Sequence, residues 1–400
     1  MASISRKNLI EDIPRFLVAQ AGIMFAVSLV TIQTGLQYGF ASSSSWLIDR
    51  SQADIWVASK NMVHLGMTRP LPYERVNEAR QVEGVERAEA VIIRGGDWYQ
   101  GLVDKISSVT VVGAPPEGLL FSPTTQFIQG SFNDLKEPYN IITDNTNLDS
   151  LYLKQVGDFG EINDIRANLV GLTEGTQSIV FGNIIFTSLE SANAYINVGL
   201  TDRRLVRDDN FTPTPAPRAI EATDSITFVL IRAKPGTNLE TLKSRLEKAL
   251  PNTRAYTREE MSRQTQIYWQ ERSGIGFILG LGAVVGVLVG VVVVGQILYA
   301  SVSDRIKEFG TLKAMGASDQ FIYRVIVEQG LWMAILGYLP GMALCLGVAA
   351  WTAKTQGIVI LITPASAFAV FGITVAMCVG SALFAIQKVT RVDPAIVFKG

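Results

Sequence analysis

Four hundred residues contain one histidine, His64, and two cysteines, Cys345 and Cys378. So little histidine excludes a histidine-rich metal centre and weakens any histidine-based catalytic triad. Both cysteines fall inside apolar runs, so a disulfide framework is excluded and packed thiols are expected. Charge is scarce as well. Asp, Glu, Lys and Arg make up 18% of the chain, and the net charge of −1 gives no electrostatic reason to bind nucleic acid. No Gly-x4-Gly-Lys-Ser/Thr phosphate cradle occurs, nor His-Glu-x2-His, Cys-x2-Cys or Gly-x-Ser-x-Gly. The sequence therefore offers no catalytic constellation, no metal site and no cofactor site of its own. It also lacks a recognisable signal-peptide cleavage site after its first apolar run.

What the chain has instead is apolar length. Hydrophobic residues reach 48% and mean hydropathy is +0.26, too apolar for an ordinary soluble protein. Residues 16–40 are uncharged, and so are 274–303 and 355–387. A charge at mid-membrane costs about 2.5–3.5 kcal/mol, and about 20 apolar residues cross the hydrocarbon. The expected spans are 16–40, 274–302, 321–353 and 363–387. Residues 1–15, with Arg6, Lys7 and Arg15 among apolar residues, predict a short interfacial segment in which Pro14 interrupts any helix. Arg305, Lys307, Lys313, Arg324, Lys388, Arg391 and Lys399 flank the same side as those N-terminal cations, against Lys354 on the other. That asymmetry predicts both termini, 1–15 and 388–400, in the cytoplasm and the block 41–273 outside.

The block 41–273 reads as water-soluble. Strand-like runs fall at 53–58, 88–94, 109–113, 140–143, 179–186 and 226–233, and helix-like runs at 73–81, 189–198 and 239–250. The two ends of the block look like halves of one α/β unit, with 114–223 as an insert. Within the insert, 212–217 reads as an extended proline-rich segment. Leu119, Leu120, Phe121 and Phe127 are apolar residues there for which core and exposed surface both stay open. His64 reads as a solvated loop residue beside Gly66.

Two further features stand out. Gly282, Gly286 and Gly290 recur every four residues in span two, a spacing that lets helix backbones approach closely in lipid. Gly280-Leu281-Gly282 has no preceding strand, so it is no dinucleotide fingerprint. Between spans two and three, 303–320 places Arg305, Lys307, Glu308 and Lys313 on a short amphipathic stretch with Ile306, Phe309 and Leu312. A solvated connector and a docking surface for a soluble partner are both open readings of it.

Lys307-Glu308-Phe309-Gly310, followed by Ala314-Met315-Gly316-Ala317-Ser318, resembles the corresponding loop of FtsX-like permeases, the membrane subunits of MacB-type ABC exporters. Phe309 replaces the usual Ile. Asp393-Pro394-Ala395 resembles the closing motif of that family, although Ile396 and Val397 depart from it. The motifs lie in the region 274–394, and the span–ectodomain layout, with Leu47-Ile48-Asp49 and Ala53-Asp54-Ile55-Trp56, is similar to the cyanobacterial DevC-type subgroup. The resemblance implies an α+β membrane protein: four transmembrane helices with a large two-lobed, α/β and β-rich extracytoplasmic domain between spans one and two. It implies that Arg305, Lys307, Glu308, Phe309, Gly310, Lys313, Met315 and Gly316 form a coupling helix against a separate ABC ATPase subunit, which would carry ATP and Mg²⁺. It implies a homodimer in the inner membrane, with the glycine row touching span one of a second copy. It also implies a membrane-fusion adaptor and an outer-membrane channel as partners, and efflux of a lipid, glycolipid, peptide or drug. An FtsX-like signalling permease acting on cell-wall hydrolases, and a lipoprotein-extraction permease of the LolC/LolE kind, share the layout.

The topology is testable. A cysteine placed at Asn133 should react with an impermeant thiol reagent in sealed cells, and one at Ser318 only after the membrane is opened. The reverse labelling pattern contradicts the basic-residue asymmetry.

Overall fold

The computed structural model describes residues 13–101, 103–121, 126–197, 216–272, 274–304, 311, 315, 318–356 and 358–390. The chain divides into two compact units. One holds Gly274–Ala353, Val359–Gly400 and the start of the chain to Gly39; the other holds Phe40–Ser273 and Lys354–Ile358.

The first unit is helical. α1 (Ile13–Asp49) leads in, and α6 (Ile275–Asp304), α7 (Asp319–Gln356) and α8 (Pro364–Thr390) follow the second unit in the chain. Each contains a stretch long and apolar enough to cross a membrane: Phe16–Asp49, Ile275–Ile297, Tyr323–Thr355 and Pro364–Leu383. Helices are the answer to lipid because each satisfies its own backbone N–H and C=O groups. The span in α1 starts at Phe16, as expected, and differs from its expected bounds at the other end. Pro14 lies in the first turn of the described helix, where no intrahelical N–H is needed, and residues 1–12 of the expected interfacial segment lie outside the described residues. At the other end the helix continues through Ser42–Ser45 to Asp49, beyond residue 40. The serines stay helical because their hydroxyls return to the preceding turn, as Ser44 Oγ does to Ala41 O at 2.7 Å.

The second unit is built on one ten-stranded sheet. Its strands are β1 (Ile55–Ser59), β3 (Val85–Gln100), β4 (Lys105–Ala114), β5 (Phe127–Gln129), β6 (Asn140–Asp144), β7 (Phe159–Ile162), β8 (Ile165–Thr173), β9 (Asn183–Ser188), β11 (Phe228–Ala233) and β12 (Thr253–Thr257). The short β2 (Leu71–Pro72) and β10 (Ser225–Ile226) pair separately. Sixteen-residue β3 belongs to two arrangements. Its first half, Val85–Val91, pairs with β11, extending the antiparallel layer β12–β1–β11. Its second half, Ile92–Gln100, pairs with β4 and, through Trp98 and Tyr99, with β7. From β4 the pairing runs to β9, β6, β8 and back through β7 to β3, a closed ring of six strands. Closure leaves those strands without open edges.

The expected insert 114–223 is therefore too narrow as a structural unit. The ring needs Ile92–Gln100 and β4, both upstream of residue 114. Residues 198–215, which include most of the proline-rich segment, lie outside the described residues. β7 and β8 were not expected, though Ile165, Ala167 and Leu169 alternate inward with polar Arg166 and Asn168. Trp98 fills the ring's interior at 0% exposure, and its indole N–H donates to Leu151 O at 2.9 Å. Gly160 lies against the indole, where a Cβ would collide with it.

Helices cover the open layer. α2 (Glu74–Arg80) buries Val76 and Ala79, and α4 (Leu239–Ala249) buries Leu242 and Leu246. Asn238 caps α4 by accepting Thr241 N–H at 3.1 Å. α3 (Leu189–Asn197) packs over the β4–β9 part of the sheet, with Ala192 against Gly113. α5 (Arg258–Ile267) starts on the capping box Thr257-x-x-Glu260. Lys243 Nζ ties α4 to α5, 2.6 Å from Glu260 and 3.2 Å from Glu240. Burial disfavours the charge on Lys243, but bonds to Glu260 and Glu240 outweigh it and raise the pKa.

Leu120 and Phe121 are core residues, while Leu119 is 54% exposed. The turn that carries them hangs on Glu89. This buried carboxylate accepts the N–H groups of Leu119 and Leu120, each at 3.0 Å, and pairs with Arg87. Glu89→Ala would leave the buried Leu120 N–H unpaired, costing about 1–3 kcal/mol. The expected result is a lower thermal unfolding midpoint for the full chain in detergent, with Glu89→Gln falling between that variant and wild type. An unchanged midpoint for Glu89→Ala contradicts the anchoring role.

Candidate functional site: the clasp on the first helix

In the first unit, α1 packs against two rows of small residues. The expected row on α6 faces it in antiparallel order. A Cβ at Gly282 would meet the Gln33 amide, at 2.7 Å, and one at Gly286 would meet Leu29, at 3.1 Å. At Gly290 it would collide with Met377 of α8 and lie 2.7 Å from Ala26. Val293 in turn occupies the space over Gly22 of α1. All these contacts are made within one chain.

The second row, on α7, was not expected. Gly337 lies against Ile23 and Gln20, and Gly341 against Val27 and Met24. One turn further, Cys345 Sγ points to Ser28 O at 3.9 Å. These three share the four-residue spacing of the α6 row, and that spacing was the available signal. The two rows bury Ala19, Ile23, Ala26, Val27 and Val30 of α1 together with Val294, Ile326, Met333, Met377 and Cys378. Gln329 is buried in α7 and Glu328 is partly buried. Close backbone approach on two sides makes α1 the core of this unit.

Within the second unit, the last turns of α1 are bonded to the turn before β9 and to α5. Ser43 Oγ lies 2.9 Å from Ser178 Oγ and accepts the Ile179 N–H at 2.9 Å. Ser45 Oγ accepts from Gln266 of α5 at 2.8 Å and donates to Asp49 at 2.7 Å. The same helix thus supplies the core of one unit and a bonded element of the other.

His64 is buried, at 7% exposure, and not solvated. It stacks on Tyr268 at 4.2 Å and meets Trp269 edge-on at 5.5 Å, both in the π-helical turn Tyr268–Arg272 that precedes α6 in the chain. Its Nδ1 accepts the Gly66 N–H at 3.2 Å. Burial disfavours the imidazolium and lowers its pKa from 6.5. The coupling stretch is described at few positions. Met315 is exposed, with its N–H bonded to Thr311 O at 3.0 Å. Arg305, Lys307, Glu308, Phe309, Gly310, Lys313 and Gly316 lie outside the described residues. Among the described residues no group of His, Cys, Asp and Glu could hold a metal ion.

The bundle with an intervening β-rich unit has counterparts. The profile of the MacB-like periplasmic core domain matches residues 16–249, more than half of the chain, and that of the FtsX-like permease C-terminal region matches residues 280–394. The chain belongs to the MacB/FtsX-like permease family. It is 27% identical over 125 residues to the macrolide export ATP-binding/permease protein MacB of Hyphomonas neptunium, covering 31% of this chain and 19% of that protein. It is 28% identical over 123 residues to an uncharacterized ABC transporter permease of Methanocaldococcus jannaschii, covering 29% of this chain and 30% of that protein. The chain thus spans under a third of the length of these curated relatives. Among solved structures, the periplasmic region of MacB from Actinobacillus actinomycetemcomitans aligns with a TM-score of 0.34 at 9% identity, over 54% of this chain and 94% of that one. The extracellular domain of the noncanonical ABC-type transporter YknZ from Gram-positive bacteria aligns with a TM-score of 0.33 at 10% identity, over 47% and 90%. As a MacB/FtsX-like permease, this chain is a multi-pass membrane protein.

Two measurements follow from this geometry. Gly290→Leu should lower the unfolding midpoint in detergent, since overpacking a close contact costs about 1–3 kcal/mol; a variant as stable as wild type removes the glycine row from the packing. His64, as the single histidine, should titrate below 6.5 by NMR. Its neutral form is the folded one, so its contribution to stability is present above pH 6.5 and falls away as pH drops through 6.5 toward the folded pKa. A midpoint at or above 6.5 contradicts its burial.

Proposed function

We propose that the chain is the permease subunit of an ATP-driven exporter of the MacB type. The observation that carries this reading is the match of its N-terminal 16–249 to the MacB periplasmic core together with the FtsX-like C-terminal region. In this reading hydrolysis of Mg·ATP is the work of an ABC ATPase partner. The segment 303–320 meets that subunit, with Arg305, Lys307, Glu308 and Lys313 as its charged contacts and Phe309, Gly310, Met315 and Gly316 shaping the short helix. Two copies work together in the inner membrane with both termini in the cytoplasm. The second unit stands outside, takes a lipid, glycolipid, peptide or drug there, and docks a membrane-fusion adaptor leading to an outer-membrane channel.

α1 is well placed to carry the stroke. It is gripped by glycine rows in the first unit, and its last turns are bonded to Ser178, Ile179 and Gln266 in the second. In this reading α1, helical from Ile13 to Asp49, is the element through which the motion of a span is passed on. The large folded ectodomain favours export over pure signalling, because a relay needs no domain of over two hundred residues.

Coupling is the step to test. With the ATPase subunit reconstituted beside it, the wild-type permease should stimulate ATP hydrolysis. Glu308→Lys, which reverses a charge, and Gly310→Pro, which costs a helix about 3 kcal/mol, should lose most of that stimulation while the permease stays folded. Unchanged binding and unchanged hydrolysis in both variants make the segment a connector only.

A further inference from the structure

β12 ends the open layer of the second unit. Among the described residues it pairs on one side only, with β1. A strand with one side unpaired presents N–H and C=O groups to any further strand. In β12 the groups turned away from β1 belong to alternate residues, Thr253, Ala255 and Thr257. Two of these N–H groups are taken by side chains. Ala255 N–H donates to Glu247 Oε1 of α4 at 3.0 Å, and Thr257 N–H donates to Glu260 Oε2 of α5 at 2.8 Å. The Glu260 bond also belongs to the capping box of α5. Glu247 has no such local reason, since it reaches the strand from the last turns of α4.

The edge opens between α4 and α5 on a groove of about 680 Å³, lined by Glu247, Arg254, Tyr256, Glu260 and Gln264 among others. Paired strands lie about 4.8 Å apart, so a further strand would run along this groove. The strand best matched to it is β12 itself. Two β12 strands meeting antiparallel about Ala255 place Thr253 opposite Thr257 and Arg254 opposite Tyr256. Threonine pairs and a cation beside an aromatic ring are both favourable across strands. Within one chain Arg254 already lies 5.3 Å from the Tyr256 ring centre. That register needs the N–H groups of Ala255 and Thr257, and the two carboxylates hold both. Lys243 Nζ, 2.6 Å from Glu260, keeps one of those carboxylates in place from α4.

We propose that Glu247 and Glu260 hold the open edge of β12 shut against a second copy of this chain. The contact is autoinhibitory. Each carboxylate accepts the N–H that a backbone carbonyl of the second strand would otherwise accept, and an ionised acceptor makes the stronger bond. Drawing the two side chains away leaves a self-complementary strand edge exposed. The inference stays within the second unit and is independent of the export reading; a chain that couples to no ATPase would still carry the closed edge.

A crosslink reads the edge directly. In the antiparallel register Arg254 of one copy lies diagonally across from Arg254 of the other, about 7–8 Å away. A short bismaleimide spans that gap once Arg254→Cys supplies a thiol on each copy. The full chain carrying Arg254→Cys is treated in detergent, and the chain without it is the blank for the buried Cys345 and Cys378. Arg254→Cys alone should give no more covalent dimer than the blank. Adding Glu247→Ala and Glu260→Ala should raise the dimer about tenfold over that level, since it frees both N–H groups for strand pairing. Glu247→Gln with Glu260→Gln keeps an acceptor at each N–H, and the dimer should stay near the Arg254→Cys level. Where the double alanine variant fails to fold because α5 loses its cap, Glu247→Ala alone carries the test. It frees Ala255 and should give an intermediate yield. Equal dimer with and without the alanine substitutions overturns the proposal. So do glutamine variants that crosslink as strongly as the alanine ones, because charge repulsion and not N–H occupancy would then keep the edges apart.

Discussion

Two helix backbones approach closely only where side chains are missing, and α1 meets that condition on two sides. Gly282, Gly286 and Gly290 open one face of the contact, and Gly337 and Gly341 open the other. In lipid there is little hydrophobic gain from helix association, so packing of this kind is what holds a bundle together. The apolar residues of α1 fill the space that the glycines leave. The other helices also pack on one another: Met377 of α8 closes over Gly290 of α6, and Gly330 of α7 receives Cys378 and Ala382 of α8.

The same helix then changes environment. From Phe40 onward it belongs to the second unit, where Leu47 and Ile48 enter the hydrophobic core and Ser43 and Ser45 add hydroxyl bonds. There the long strand β3 does for the sheet what α1 does for the chain. Its first half completes an open layer covered by helices, and its second half closes a six-stranded ring. The ring can close because small residues sit where large ones need room, as Gly160 does beneath Trp98. One strand shared by both arrangements joins them through a continuous backbone.

Much of this was legible in the residues. Charge-free runs mark the four spans, because a single misplaced charge is costly in hydrocarbon. Amphipathic spacing marks α2, α3 and α4 to within a residue or two. Other features were legible but passed over: the Thr257-x-x-Glu260 capping box of α5, the alternation in β8, and the glycine spacing in α7. Ring closure was not legible, because the pairing of β7 with β3 joins residues over sixty positions apart and no local pattern encodes it. His64 was misjudged for a similar reason. Beside a glycine in a loop it looks solvated, but Tyr268 and Trp269, two hundred residues later, bury it.

The central claim is that one chain alone grips its own first helix. A Cβ at position 286 would lie 3.3 Å from the Cβ of Leu29, close to the roughly 3.8 Å of a disulfide. Leu29→Cys combined with Gly286→Cys, oxidised in the membrane, should give a crosslink within a single chain that migrates as a monomer under denaturing, non-reducing conditions. A crosslink found only between two chains, or none at all, would contradict the account.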